Sequence, residues 1–138
     1  MRGVVAALAI LVLGALAPAH GGEEAKTITI TAREYKFSPN TIKLQAGQRV
    51  QLVLENRGTV NHEFVSPIFK SAKDVEIRSQ GIKVEGDDIS EVEFGKGKVV
   101  KIEFTPSQTG TFQFWCGEKL GDKLHRDLGM RGTATVAK

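Results

Sequence analysis

Thr41-Ile42-Lys43-Leu44-Gln45-Ala46-Gly47-Gln48-Arg49-Val50-Gln51-Leu52-Val53-Leu54 holds two short runs of alternating character on either side of a turn at Ala46-Gly47-Gln48. Alternation of period two sends one set of side chains to one face of an extended chain, and the β-branched residues suit a pleated surface. The pattern continues in both directions. Upstream, Thr27-Ile28-Thr29-Ile30-Thr31 alternates, and Ser38-Pro39-Asn40 marks a turn. Downstream, Asn56-Arg57-Gly58 ends a strand, and His62-Glu63-Phe64-Val65 begins another in which His62 and Phe64 share a face. Val99 to Phe104, Thr111 to Cys116 and Thr133 to Val136 bring the expected total to about seven or eight short strands, enough for two packed sheets. Residues 66–98 alternate only weakly, at Val75/Ile77, Ile82/Val84 and Val92/Phe94, and predict one or two edge strands in a long excursion. The expected fold class is an all-β sandwich over 27–138, with residues 20–26 as a flexible tail.

The 138 residues suit one domain. The amino-terminal segment has a basic start at Arg2, an apolar run from Val4 to Ala17, and the small-x-small pattern Ala17-Pro18-Ala19. That run falls short of the ~20 residues a spanning helix needs. Residues 1–19 therefore read as a secretory signal peptide cleaved after Ala19, and the mature protein as soluble and periplasmic or otherwise secreted. The net charge of +3 loses one unit with Arg2, and the remaining charges of both signs are interleaved. Such a surface carries no nucleic-acid footprint.

An exported chain with one cysteine forms no internal disulfide, so Cys116 is an inert thiol, an intermolecular link or a metal ligand. The residues that follow it choose among these. Cys116-Gly117-Glu118-Lys119-Leu120-Gly121-Asp122-Lys123-Leu124-His125-Arg126-Asp127-Leu128-Gly129-Met130 spells Cys-x8-His-x4-Met between an aromatic-rich strand and the last strand. Two anchored strand ends joined by a loop can bring thiolate, imidazole and thioether to one point, and His62 on a separate strand supplies a fourth donor. Two histidines, a thiolate and a methionine form the trigonal set with weak axial sulfur that suits one copper ion cycling between Cu(I) and Cu(II). Without its signal peptide the chain retains one cysteine, one methionine and three histidines, and the set uses both sulfurs and two of the histidines. Each residue alone has a plainer reading, as buried thiol, core plug or solvated histidine.

These residues, together with Phe37-Ser38-Pro39-Asn40-Thr41-Ile42, Gly47-Gln48-Arg49-Val50, Asn56 and Thr109-Gly110-Thr111-Phe112, resemble the cupredoxins, the family of small blue copper proteins that includes plastocyanin and azurin. The opening portion, with His62-Glu63-Phe64, is also similar to cupredoxin domains of periplasmic iron-uptake systems. The resemblance implies a Greek-key sandwich with copper at one end, His62, Cys116 and His125 equatorial, and Met130 axial. It further implies that the edge of His125 reaches solvent inside a rim of Leu120, Leu124, Leu128 and Gly129. Three positions depart from the family pattern. Eight residues separate Cys116 from His125 where many members have two to four, Glu63 stands where many carry Asn or Ser, and Leu120 occupies the place of the second cysteine that a binuclear centre needs. One copper is the ceiling at this site.

Cleavage after Ala19 makes His20 the mature amino terminus, where amine and imidazole can chelate a weak second copper; no unassigned histidine remains to complete a histidine brace. The expected function is one-electron carriage by a monomer whose redox partner proteins dock near His125. The alternative is a copper-binding or delivery module, or a redox accessory to iron uptake. Copper enzymes with several sites need more than three histidines, so the chain is expected not to be a catalyst.

Overall fold

The structure is a computed structural model that describes residues 24–86 and 88–138. Residues 1–19, expected to be a signal peptide, and His20 lie outside the described residues. Among the described residues thirteen strands follow in chain order: β1 (Lys26–Arg33), β2 (Lys36–Ser38), β3 (Thr41–Gln45), β4 (Val50–Asn56), β5 (His62–Val65), β6 (Ala72–Ser79), β7 (Ile82–Glu85), β8 (Glu91–Phe94), β9 (Val99–Pro106), β10 (Gly110–Trp115), β11 (Lys119–Leu120), β12 (Lys123–Leu124) and β13 (Arg131–Ala137). One sheet runs β2-β1-β4-β9-β6-β7 and the other β3-β13-β10-β5-β8. The crossovers between them make the expected Greek-key sandwich. The count exceeds the expected seven or eight because β2, of three residues, and the two-residue strands β11 and β12 add to it, and because residues 66–98 supply three strands, β6 to β8.

The alternation seen in the sequence is the alternation of burial. In β3 only Ile42 and Leu44 are buried, in β8 only Val92 and Phe94, and β9 buries Val100, Ile102, Phe104 and Pro106. β4 sits between β1 and β9, pairing in parallel with the first (Ile30↔Leu54) and antiparallel with the second (Leu54↔Val100). The excursion after β5 is more ordered than the sequence predicts. It forms a 3₁₀ turn at Pro67–Ser71 and three strands, of which β7 and β8 are edges while β6 lies inside its sheet.

Between the sheets Phe64, Phe69, Phe94, Phe104 and Phe114 are fully buried. Phe64 stacks on Phe114 with centroids 5.0 Å apart, and Phe37 meets Phe114 edge-on at 5.5 Å. Each such ring contributes about 1.5–3 kcal/mol through burial. At one end of this core β5, the end of β10 and the segment before β13 meet, and there the polar residues His62 and His125 are buried. No helix among the described residues is long and apolar enough to cross a membrane.

Candidate metal centre

His62 opens β5 and pairs with Phe94 of β8, so its ring is carried on the inward face with Phe64. The approach to it is held by Asn56, a buried residue at the end of β4. Its side-chain amide donates to the carbonyls of Val60 (2.8 Å) and Phe94 (3.0 Å), and its side-chain oxygen accepts the Gly58 N–H (2.9 Å). An amide that satisfies three backbone groups in this way fixes the loop Arg57–Asn61 as firmly as a strand would.

Cys116 follows the last residue of β10, where Trp115 pairs with Val65 of β5 and Arg131 of β13. Its N–H donates to the Met130 carbonyl (3.0 Å), and its own carbonyl accepts the Arg126 N–H (3.2 Å). His125 begins a 3₁₀ turn, His125–Leu128, closed by Gly129 in the left-handed region (φ 109°). The His125 N–H donates to the Glu118 carbonyl (2.7 Å), and the Met130 N–H to the His125 carbonyl (3.1 Å). The eight-residue loop is thus no floppy tether. β11 and β12 zip its middle into a hairpin whose tip, Gly121, has φ +61°, a conformation glycine adopts without penalty.

The result is a compact donor set. Nδ1 of His62 lies 3.8 Å and Nδ1 of His125 3.5 Å from the Cys116 Sγ. The three ligand atoms all fall within 4.8 Å of one another. Nitrogen and sulfur donors about 2.0–2.3 Å from a common ion in a trigonal plane stand roughly 3.5–3.8 Å apart. Met130 is fully buried, its backbone bonded to both Cys116 and His125. Two imidazoles and a thiolate among apolar walls, with a thioether beside them, fit a single copper ion.

The electrostatics agree with a site whose donors lack protons when filled. Burial lowers the pKa of both His62 and His125 below their usual 6.5, which keeps the rings neutral. Burial raises the Cys116 thiol above its usual 9.0, against the pull of the Glu63 N–H, which donates to Sγ at 3.3 Å. The metal-free cysteine therefore holds its proton, and metal binding releases it. The brace on sulfur comes from the backbone of Glu63, so the departure from Asn or Ser at this position leaves the sulfur with a donor. The Glu63 carboxyl points away to Glu93 and Glu118, with oxygens of the three within 4.8 Å of one another. Burial, then the charges of Glu118, Glu91 and Glu93, raise its pKa. A side chain at Gly117 would run into this carboxylate.

One expectation needs correction. The edge of His125, expected at the surface, is covered: the residue is 2% exposed. Tyr35, at the turn between β1 and β2, packs edge-on against the ring with centroids 4.7 Å apart. Of the expected rim, Leu120 and Leu128 are exposed (53% and 36%), Gly129 is exposed and Leu124 is half-buried. The same turn brings in Glu34, whose Oε1 accepts the N–H of Thr59 (2.5 Å) and of Val60 (3.1 Å). The Thr59 amide above all holds the Glu34 carboxyl at about 2. Neither Glu34 nor Tyr35 was legible as a site residue, since both lie more than twenty positions from the nearest donor in the chain and carry no motif of their own.

The family model for the Cupredoxin-like domain matches residues 4–84, a stretch that contains His62 and ends before Cys116. Among solved structures the chain is similar to reduced auracyanin from the photosynthetic bacterium Roseiflexus castenholzii, at 22% identity over 83% of this chain and 98% of that one, with a TM-score of 0.59. Auracyanin B is similar at 20% identity over 83% and 90%, with a TM-score of 0.58. A copper-containing nitrite reductase from Thermus scotoductus is similar at 14% identity and a TM-score of 0.61, over 82% of this chain and 31% of that one. These identities speak for the fold alone. No curated protein matches the chain. With the family model spanning more than half of its length, a two-sheet sandwich of the corresponding fold, and a His-Cys-His cluster at the sandwich end, the chain belongs to the cupredoxin family.

Proposed function

We propose that the chain is an exported mononuclear copper protein of the type 1 (blue) kind, a carrier of single electrons rather than a catalyst, in which His62, Cys116, His125 and Met130 would hold the ion. The observation that carries the proposal is the convergence of two imidazole Nδ1 atoms on one buried thiol, at 3.8 and 3.5 Å. Copper held by such a set supplies one-electron chemistry between Cu(I) and Cu(II). The chain's own part is to present the donors in a fixed arrangement, so that little has to move when the charge at the site changes. β5, β10 and the turn before β13 do this through backbone hydrogen bonds. Tyr35, Phe94 and the core phenylalanines keep water from the donors, and the Glu63 N–H stabilises negative charge on Sγ.

In this proposal the protein is a monomer, soluble and periplasmic or otherwise secreted after loss of residues 1–19. Redox partner proteins dock over the His125 end, where Leu120 and Leu128 are exposed and Tyr35 stands between His125 and solvent. Copper delivery, or an accessory role in iron uptake, asks for ligands that open easily. The paired hairpin across residues 119–124 and the hydrogen bond from His125 to Glu118 favour carriage over delivery.

The test is copper loading of the mature chain followed by visible spectroscopy. A copper–thiolate charge-transfer band is expected, and Cys116→Ser abolishes it. Fully loaded, folded protein without that band refutes the assignment. A Cu(I) chelator then separates the two uses: a carrier holds its copper through repeated redox cycles, and a delivery protein surrenders it.

A further inference from the structure

His62 places one ring nitrogen toward the sulfur and leaves the other without a partner. Nδ1 faces Cys116 at 3.8 Å, while Nε2 is buried with no hydrogen-bond partner among the described residues. An acceptor, Oε1 of Glu34, stands 3.7 Å from it. The gap between them is free of any side chain because residue 58 is glycine. A Cβ there would overlap the Glu34 carboxylate and lie 3.0 Å from Nε2. The space is also too short for a bridging water, which needs two hydrogen bonds of about 2.8 Å in series. The carboxylate is anchored independently by the Thr59 and Val60 amides and the Thr59 hydroxyl, the last at 3.3 Å, so it does not depend on the histidine for its place.

We propose that Glu34 is a positioning residue for His62: its carboxylate accepts a hydrogen bond from Nε2–H and so fixes the ring as the tautomer whose Nδ1 lone pair faces Cys116. A neutral imidazole carries one proton, and a nitrogen that is to hold a metal must offer its lone pair, so the proton belongs on the other nitrogen. In a buried ring that proton needs an acceptor. Closing 3.7 Å to a hydrogen bond takes roughly 0.5–0.8 Å of side-chain movement. The β1–β2 turn thereby serves both histidines, with Glu34 on His62 and Tyr35 against His125. The carboxylate also adds negative charge behind a ligand, which favours the more positive oxidation state of whatever ion the site holds.

The proposal rests on reading His62 as a ligand, and its test separates the two. In the metal-free full chain, ¹⁵N NMR of His62 above its pKa is expected to show the Nε2–H tautomer. Glu34→Ala is expected to shift the ring toward a mixture with Nδ1–H and to weaken copper binding by about 10–100-fold. Glu34→Gln keeps an acceptor for Nε2–H and for the Thr59 and Val60 amides but loses the charge. It is expected to retain the tautomer and to raise the reduction potential of the copper protein. A wild-type ring found as Nδ1–H, or an unchanged tautomer and affinity in Glu34→Ala, overturns the proposal. If Glu34→Ala fails to fold, Glu34→Gln decides: an unchanged potential means the residue only scaffolds the Thr59 loop. A wild-type chain that takes no copper refutes the functional reading, while the tautomer of the metal-free ring still answers for Glu34.

Discussion

At the scale of single residues, the site depends on positions where a side chain is missing as much as on those where one is present. Gly132 sits opposite Phe114 in the β10–β13 register, two residues after Met130. A Cβ at 132 would overlap the Phe114 ring and the Asn40 carbonyl, a rigid ring in the core and a piece of backbone, neither of which can give way cheaply. Gly132→Ala is therefore expected to destabilise the protein by about 1–3 kcal/mol, as overpacking does. Urea denaturation measures this, and an unchanged midpoint would show that β13 can shift away from Phe114. His62 illustrates the opposite case. Its unpaired Nε2 carries a cost of about 1–3 kcal/mol in a buried group, a cost that a hydrogen bond to Glu34 would remove.

At the scale of elements, the β11–β12 hairpin turns a long loop into a support. Eight residues between Cys116 and His125 suggest slack, yet Lys119↔Leu124 and Leu120↔Lys123 pair, and the Glu118 carbonyl receives the His125 N–H. The tip is the vulnerable point. Gly121 has φ +61° and nothing within 4 Å of a Cβ placed there, so a substitution meets backbone strain and no clash. Gly121→Val is expected to cost the hairpin about 1–2 kcal/mol. Because few core contacts depend on the hairpin, the loss is local. Copper should leave faster to a Cu(I) chelator while the urea midpoint of the metal-free protein moves little. Equal losses of both would mean that the hairpin belongs to the cooperative core.

At the scale of the whole molecule, burying two histidines ties folding to pH. Both have folded pKa values below the usual 6.5, chiefly through burial, so the unfolded chain binds protons first as pH falls. Stability from this source is complete above about 6.5 and is lost as pH drops through that value toward the lower folded pKa values. Glu34, held at about 2 mainly by the Thr59 amide, and Glu103, lowered by Gln51 and then Arg49, act in the same direction below their usual 4.5. Glu63, raised by burial, opposes them: its cost is absent below 4.5, builds as pH rises toward its folded pKa and stays in full above it. The metal-free protein is expected to lose stability on acidification from neutral pH to about 5, where the histidines act and Glu34 and Glu103 are still largely ionised in both states. A series of urea titrations checks this, and a flat profile through 6.5 would contradict neutral, buried histidines.

The sequence by itself determined the class of fold and the chemical kind of site. Period-two runs such as Thr41–Leu44 and Val99–Phe104 state which face is buried wherever one face of a strand meets the core, and a chain with so few sulfur and imidazole donors leaves little choice about which ones could gather. Tertiary structure alone decided the surroundings of the donors. The weakly patterned residues 66–98 became three strands because β6 found a place beside β9 in the sheet, where partners compensate for poor alternation. Glu34 and Tyr35 reached the two histidines because the parallel pairing of β1 with β4 carries the β1–β2 turn to the same end of the sandwich as β5 and the His125 turn. A local pattern reports a residue's own face of its own strand. What covers that face comes from segments distant in the chain, and here that cover closed the histidine edge expected at the surface.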